Sequence, residues 1–473
     1  MVRSAMPFIV VAILCGFALP GCVSSSSSAP PRTPVHLGAG IASPLFTSTR
    51  AARQIAQSSR SETPGSADGS FDLLQLLELA EMSPLLAVEA EKVARAGGAV
   101  VQGALWPNPV LRLETEMMPL DDLGFGNARN KVSLAQRIET AGKVSARVDL
   151  AQALQEEALA SYYHERARLQ ADVSVLFYGL VFIAAKIDHQ RRLVELSGER
   201  LALAAAMNRE GRLSDRTLIA YEVDESREQT QLLSLQAEAD EALAELEGLL
   251  GVAPGTVLGC RGEGFSGRSW TPLDPQIAAG EILSRSCELV HKDRRLAVAQ
   301  ADLSLQKSRV YPDITVGLGY SRGAELTMDR QNFVGGFLEI PLPLIDRNQG
   351  NVSSAEAAVR EAGMDLELTA AQQLDEWYGL HRRWARIAAS RDHYTQTVLP
   401  ELAKSLRFAE TTAAAGRSSR DESLEAGLEL ERAAQMRIDL ERQLARFQVE
   451  MLYLQGRDQL STRPSTVSPA AGE

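Results

Sequence analysis

Two hydrophobic periods take turns along this chain. Leu111, Leu113, Thr115 and Met117 alternate with Arg112, Glu114 and Glu116, and Val132, Leu134 and Ile138 alternate with Lys131, Ser133 and Arg137. Ile314, Val316, Leu318 and Tyr320, then residues 333–340, repeat the alternation in the second half. A period of two predicts strands. One apolar and one charged face suit a strand between lipid and a wet lumen, and the same alternation suits a half-buried strand of a soluble sheet. Strands of about ten residues also have the length a tilted membrane strand needs.

Around each strand pair the period becomes three and four. Residues 142–208 lack proline and place Leu150, Leu154, Leu169, Val173, Leu176 and Leu180 at helical spacing, which predicts one helix of about 100 Å. Gly211 ends it, and a return helix is expected over 214–250. The second half reads alike: a helix over 351–415, Gly416, then a helix over 418–455. Opening helices are expected over 73–105 and 277–310, stopped before Pro107 and Pro312. Alone, the helices would suit a soluble antiparallel coiled coil.

The chain therefore reads as two copies of one unit. Pro107 and Pro312, Gly211 and Gly416, and Gly251 and Gly456 are each 205 positions apart. Gly142 and Gly350 are 208 apart, which puts the length difference in the strand loop. Boundaries follow: a first repeat at 71–251, a connector at 252–276, a second repeat at 277–459 and a tail at 460–473. The segment 341–350, PLPLIDRNQG, turns the last strand into a long helix. Its Pro341 and Pro343 end ladder pairing and fix a bend, with Asp346, Arg347 and Gly350 completing the joint. Its first-copy counterpart, 136–143, has no proline.

Composition narrows the function classes. A net charge of −12 and a pI near 5.2 leave no basic stripe for phosphates, so no nucleic-acid partner is expected. Arg3 and the apolar run 7–19 read as a signal peptide over 1–21, too short to span a membrane. Leu19-Pro20-Gly21-Cys22 resembles the bacterial lipobox, making Cys22 the lipidated first residue, with plain secretory cleavage as the alternative. By resemblance to sorted lipoproteins, Ser24 favours the outer membrane. Residues 22–70, rich in Ser, Pro, Ala and Thr, suit a flexible tether. Cys260 and Cys287 are the only cysteines of the folded body, a candidate disulfide or two unpaired thiols.

Four amphipathic strands cannot close a barrel, and an open sheet edge in lipid leaves unpaired N–H and C=O groups. Oligomerisation is expected. Pro107-Asn108-Pro109, Arg137-Ile138-Glu139 with Gly142-Lys143 and Arg147, Pro312-Asp313, and PLPLIDRNQG together resemble the TolC-like outer-membrane efflux family. The last motif resembles the branch serving heavy-metal pumps of the resistance-nodulation-division (RND) type, the CzcC- and CusC-like proteins. The likeness covers about residues 71–459. It implies a mainly α protein with membrane β structure: a homotrimer whose twelve-stranded outer-membrane β-barrel, four strands per chain, continues into a periplasmic α-helical barrel. It also implies a periplasmic adaptor and an inner-membrane RND pump as partners. The resemblance places the adaptor-docking tip at Gly211, Arg212, Leu213 and Ser214 and at Gly416, Arg417, Ser418 and Ser419. It places a gate ring at Glu422 and Glu425, with Asp421 adjacent. The alternative for these carboxylates is simple complementation of a helix dipole. Thr217 and Ala220 hold the corresponding first-copy positions, so no second acidic ring is expected.

The six histidines show no metal-ligand spacing, and Met117-Met118 reads as an apolar strand end rather than a soft-metal site. No phosphate loop, nucleophile elbow or dinucleotide fingerprint is present. The expectation is a passive export duct, not an enzyme, with no metal site and no cofactor beyond the lipid on Cys22, and metal cations as cargo. The alternatives are a lipid-anchored periplasmic coiled-coil scaffold without a pore, and the same duct carrying drugs or proteins.

Overall fold

The computed structural model describes residues 69–116, 128–262, 272, 274–325 and 328–457. The signal peptide, Cys22, almost all of the tether, Met117-Met118 and the 460–473 tail lie outside the described residues. Strand β1 (Ser70–Phe71) leads into α1 (Leu73–Ala80), which Asp72 opens with a capping box. Its carboxylate accepts from the Gln75 N–H at 2.8 Å, and the Gln75 side chain accepts from the Asp72 N–H at 3.0 Å.

The expected single opening helix is two helices in each half. In the first half α1 stops and α2 (Pro84–Gly103) begins afresh, because Ser83 caps it and Pro84 occupies the first turn, where its missing N–H costs nothing. Ser83 Oγ also donates to the Leu249 carbonyl at 2.9 Å. In the second half α5 (Pro275–Arg285) and α6 (Cys287–Ser308) meet at the buried Ser286. Two in-register glycines sit against these breaks. A Cβ on Gly251 would lie 2.4 Å from Pro84 Cδ, and one on Gly456 would lie 2.1 Å from the Arg285 carbonyl oxygen.

The strands fall where the alternation puts them: β2 (Val110–Glu116), β3 (Arg129–Ile138), β5 (Ile314–Glu325) and β6 (Met328–Glu339). They form one antiparallel sheet in the order β2-β3-β5-β6. The register aligns Leu113, Val132, Tyr320 and Val334 in one row and Leu111, Leu134 and Leu318 in the next. These side chains form one exposed apolar face, with Leu113 71% and Val334 81% accessible. The opposite face carries Arg112, Glu114 and Lys131, and Lys131 reaches Glu114 at 3.0 Å. Gly317 lies under the Phe337 ring, which would collide with any larger residue.

The long helix α3 (Lys143–Arg209) is continuous over 67 residues, about 100 Å at 1.5 Å per residue. The return helix α4 (Asp215–Leu250) packs along it, and a short strand β4 (Gly259–Cys260) pairs parallel with β1. In the second half α7 (Gln349–His393) passes through a π-helical turn, Tyr394–Val398, into α8 (Leu399–Ala414). Pro400 explains that turn: its ring would clash with the carbonyl of residue 396 in a regular α-helix, and widening the turn relieves this. The final helix is α9 (Arg420–Leu454).

Helices α2, α3, α6 and α7 pack in the same order as the strands they adjoin. Leu76 and Leu77 of α1, Leu169, Val173 and Phe177 of α3, and Leu246 and Leu250 of α4 form one core. Ala278 and Ile282 of α5, Trp377 and Leu380 of α7, and Met451 and Leu454 of α9 form a second. Each fully buried side chain of this size contributes roughly 1.5–3 kcal/mol. The candidate bridge between Cys260 and Cys287 is not made. Cys260 packs beside the first core as the ladder partner of Phe71, whereas Cys287 starts α6 in the second half. Burial pushes the Cys260 thiol up to about 12.

Candidate functional site: the strand-to-helix joint and the far helix turns

At the joint, motif residues from both halves converge on one carboxylate. Asp313, just ahead of β5, accepts from Arg137 Nε at 2.7 Å, from Lys143 Nζ at 2.5 Å and from the Thr140 N–H at 3.3 Å. Lys143 Nζ also donates to the Tyr311 carbonyl, and Thr140 Oγ1 to that of Pro312. Burial alone would raise the Asp313 pKa, but the hydrogen bonds from Lys143 and Arg137 hold it below the usual carboxylate range. Arg147 completes the joint by donating to Glu139 at 2.9 Å and to the Gly103 and Leu105 carbonyls. Ala141 and Gly142 make the turn into α3 with positive φ.

The second joint, PLPLIDRNQG, is built differently. Asn348 takes the left-handed conformation, and its side-chain amide donates to the Gln306 carbonyl at 2.8 Å. The Asp346 carboxylate accepts from the Asn348 N–H at 2.9 Å. Pro341, Pro343 and Arg347 lie on this connection outside the strand ladder, as does Ile345, 90% accessible, and Gly350 sits in the first turn of α7.

At the other end of α3 and α8 the two turns are superimposable in their bonding. The Gly211 N–H donates to the Asn208 carbonyl and the Arg212 N–H to that of Met207; Gly416 and Arg417 repeat this with Ala413 and Thr412. Both glycines take positive φ, 72° and 68°, so each long helix ends in a Schellman-type cap. Ser214 and Ser419 then cap the return helices, each accepting at 3.2 Å from the N–H three residues on. Leu213 and Ser418 fill the turns. The Leu213 carbonyl accepts from Asn208 at 3.0 Å, and the Ser418 hydroxyl meets Thr412 Oγ1 at 3.0 Å.

The three acidic candidates separate into two kinds. Asp421 is clamped: Arg200 of α3 reaches it through Nε at 2.7 Å and Nη2 at 3.1 Å, and the Tyr221 hydroxyl of α4 donates to it at 3.3 Å. Arg200 also lies over the Tyr221 ring, 5.1 Å from its centroid. The hydrogen bond from Arg200 lowers the Asp421 pKa against the opposing effect of burial. Glu422 and Glu425 are exposed and share one face of α9, with Glu425 only at the edge of reach of Arg200, at 3.4 Å. Sequence reasoning missed Arg200 and Tyr221, because nothing local marks one arginine of a long helix as the partner of a residue 221 positions away. Among the described residues no group of His, Cys, Asp and Glu is arranged to hold a metal ion.

Comparison with known proteins agrees with this geometry. Residues 278–457 match the profile of the family described as Outer membrane efflux protein. The chain is 27% identical over 347 residues to the cobalt-zinc-cadmium resistance protein CzcC of Cupriavidus metallidurans, covering 71% of this chain and 78% of that protein. It is 24% identical over 303 residues to the nickel-cobalt-cadmium resistance protein NccC of Alcaligenes xylosoxydans xylosoxydans, covering 62% and 66%. Among solved structures, that of CusC, studied for its folding and transmembrane channel formation, superimposes with a TM-score of 0.67 at 16% identity, over 82% of this chain and 92% of that one.

Proposed function

We propose that this chain, a TolC-like outer membrane efflux protein, is the outer-membrane channel of a tripartite RND-type efflux system and conducts metal cations passively from pump and adaptor to the exterior. The observation that carries the reading is the union of an uncovered apolar sheet face with a continuous helix about 100 Å long. A sheet whose apolar face is bare in one chain needs lipid, and its open edges need other strands. Three copies would supply twelve strands and close the barrel, and the helices would continue it as a periplasmic tunnel. The two-repeat reading draws support from Leu77 and Ile282, and from Leu246 and Met451: each pair is 205 positions apart and fully buried in corresponding cores.

In this reading the turns at Gly211 and Gly416 are the adaptor-docking tip, and Glu422 and Glu425 ring the narrow end. Cys22 carries the covalent lipid and holds the chain at the outer membrane. Metal cargo rests on the names of CzcC and NccC. Transport needs no catalytic group in this chain, since the pump supplies the energy.

Native mass spectrometry in mild detergent together with planar-bilayer recording tests the proposal. A trimer with stepwise conductance is expected; a monomer without conductance would leave the pore-free scaffold as the better reading. For the anchor, Cys22→Ser should abolish labelling by a radioactive fatty acid, and persistent labelling would show that the lipobox was misread.

A further inference from the structure

We propose that residues 341–347 of one copy form a hook that seats in a groove beside Trp106 of the next copy. The inference rests on the oligomeric channel reading and adds to it a specific contact between copies.

Topology supplies the first reason. The sheet order leaves β2 and β6 as its two edges. Strand β2 starts at the joint and runs away from the helices, and β6 runs back to the joint. When copies close a ring head to tail, the end of β6 on one copy therefore meets the start of β2 on its neighbour. The hook follows β6 directly, and Trp106 comes just before β2.

The two surfaces also match. On the hook, Leu342, Leu344 and Ile345 are 72%, 73% and 90% accessible, and the flanking prolines limit their collapse onto their own chain. Three adjacent apolar side chains this bare call for a cover. Beside Trp106, a groove of about 540 Å³ runs along the start of α3 past Val144 and Val148. Its wall is acidic. Asp149 is exposed there, and Glu139, whose side chain is only 8% accessible, bonds Arg147 through one oxygen while the other has no partner among the described residues. The hook offers a cation to Asp149 in Arg347, which is exposed and makes no ion pair among the described residues, while the neighbouring Asp346 carboxylate is turned to the Asn348 N–H.

The test is disulfide trapping in the full-length, lipidated protein. Ile345→Cys combined with Asp149→Cys, oxidised with copper phenanthroline in mild detergent, should give covalent dimers and trimers on non-reducing gels. Neither single variant should do so. Native mass spectrometry of the same sample separates the two ways of failing. A trimer that yields no covalent band, equal bands from Ile345→Cys alone, or a bond closed within one chain would overturn the hook and leave the channel reading standing. A monomer would overturn both. As a second measurement, Leu344→Ser with Ile345→Ser should lower the temperature at which the trimer dissociates, and an unchanged temperature would also overturn the hook.

Discussion

The guanidinium of Arg200 and the carboxylate of Asp421 meet at 2.7 Å, Nε to Oδ1, and tie the long helix α3 to the first turn of α9. The contact is two-pronged, largely shielded on the arginine side and backed by Tyr221. It fixes how far the start of α9 can swing from the first half of the chain.

Replacing Arg200 with Met should therefore lower stability by about 1.5–3 kcal/mol, the range for a hydrogen bond to a charged group. Breaking the exposed neighbouring pair of Arg420 and Glu199 should cost about 1 kcal/mol or less. Because the folded-state pKa of Asp421 is depressed, its contribution is present above the ordinary aspartate value of 3.8 and is lost as pH falls through the lower folded value. The difference in thermal midpoint between wild type and variant should shrink below about pH 4. An equal difference at neutral and acid pH would show that the ion pair is not its source.

At the joint, Lys143→Met leaves Asp313 with Arg137 as its remaining cation, and the expected loss is about 1–3 kcal/mol, the cost of one buried partner removed. Asp313 is also depressed, so the same sign applies: the joint is stabilised above the ordinary carboxylate range and weakens as acid protonates Asp313. Lys143→Met with Asp313→Leu should recover much of the loss, since it leaves no buried charge unpaired. Thermal midpoints of the single and double variants in detergent decide this.

Two glycines with nearly the same φ should respond differently to alanine. Gly416 has open space at its Cβ position, so Gly416→Ala should cost only the left-handed backbone penalty, about 1–2 kcal/mol. At Gly456 the same methyl would meet the Arg285 backbone carbonyl at 2.1 Å, which cannot swing aside as a side chain can. Gly456→Ala should therefore yield little folded protein, read as recovery from membranes at a fixed expression level.

Much of this was legible in the sequence because it is local. The alternation at Leu111, Leu113, Val132 and Leu134 places two strands and their lipid-suited face, and Gly211 and Gly416 mark both helix turns. The break at Ser83-Pro84 was legible too, since Ser followed by Pro is a helix-start signal, but the helical period on both sides masked it. The π turn before Pro400 was not, because whether a proline ends, kinks or widens a helix depends on what packs around it. Nor could the sequence pair Asp313 with Lys143 or Arg200 with Asp421. Such contacts are set by how the two halves dock, and each residue alone resembles many other surface charges.

The clamp on Asp421 also sharpens what the other acids should do. A carboxylate already neutralised by Arg200 offers little field to a passing cation, whereas Glu422 and Glu425 keep exposed charge on one face of α9. If three copies bring these faces together, the ring holds six such groups, roughly two per chain, and its field attracts cations and repels anions. Glu422→Gln with Glu425→Gln should then lower the cation-to-anion permeability ratio and relieve block by divalent ions in planar bilayers, with little change in thermal midpoint. Asp421→Asn should do the reverse, lowering the midpoint while leaving selectivity nearly intact. The two readouts must separate in this way if Asp421 is a fastening and the two glutamates are the gate; selectivity that follows Asp421 would assign the roles the other way round.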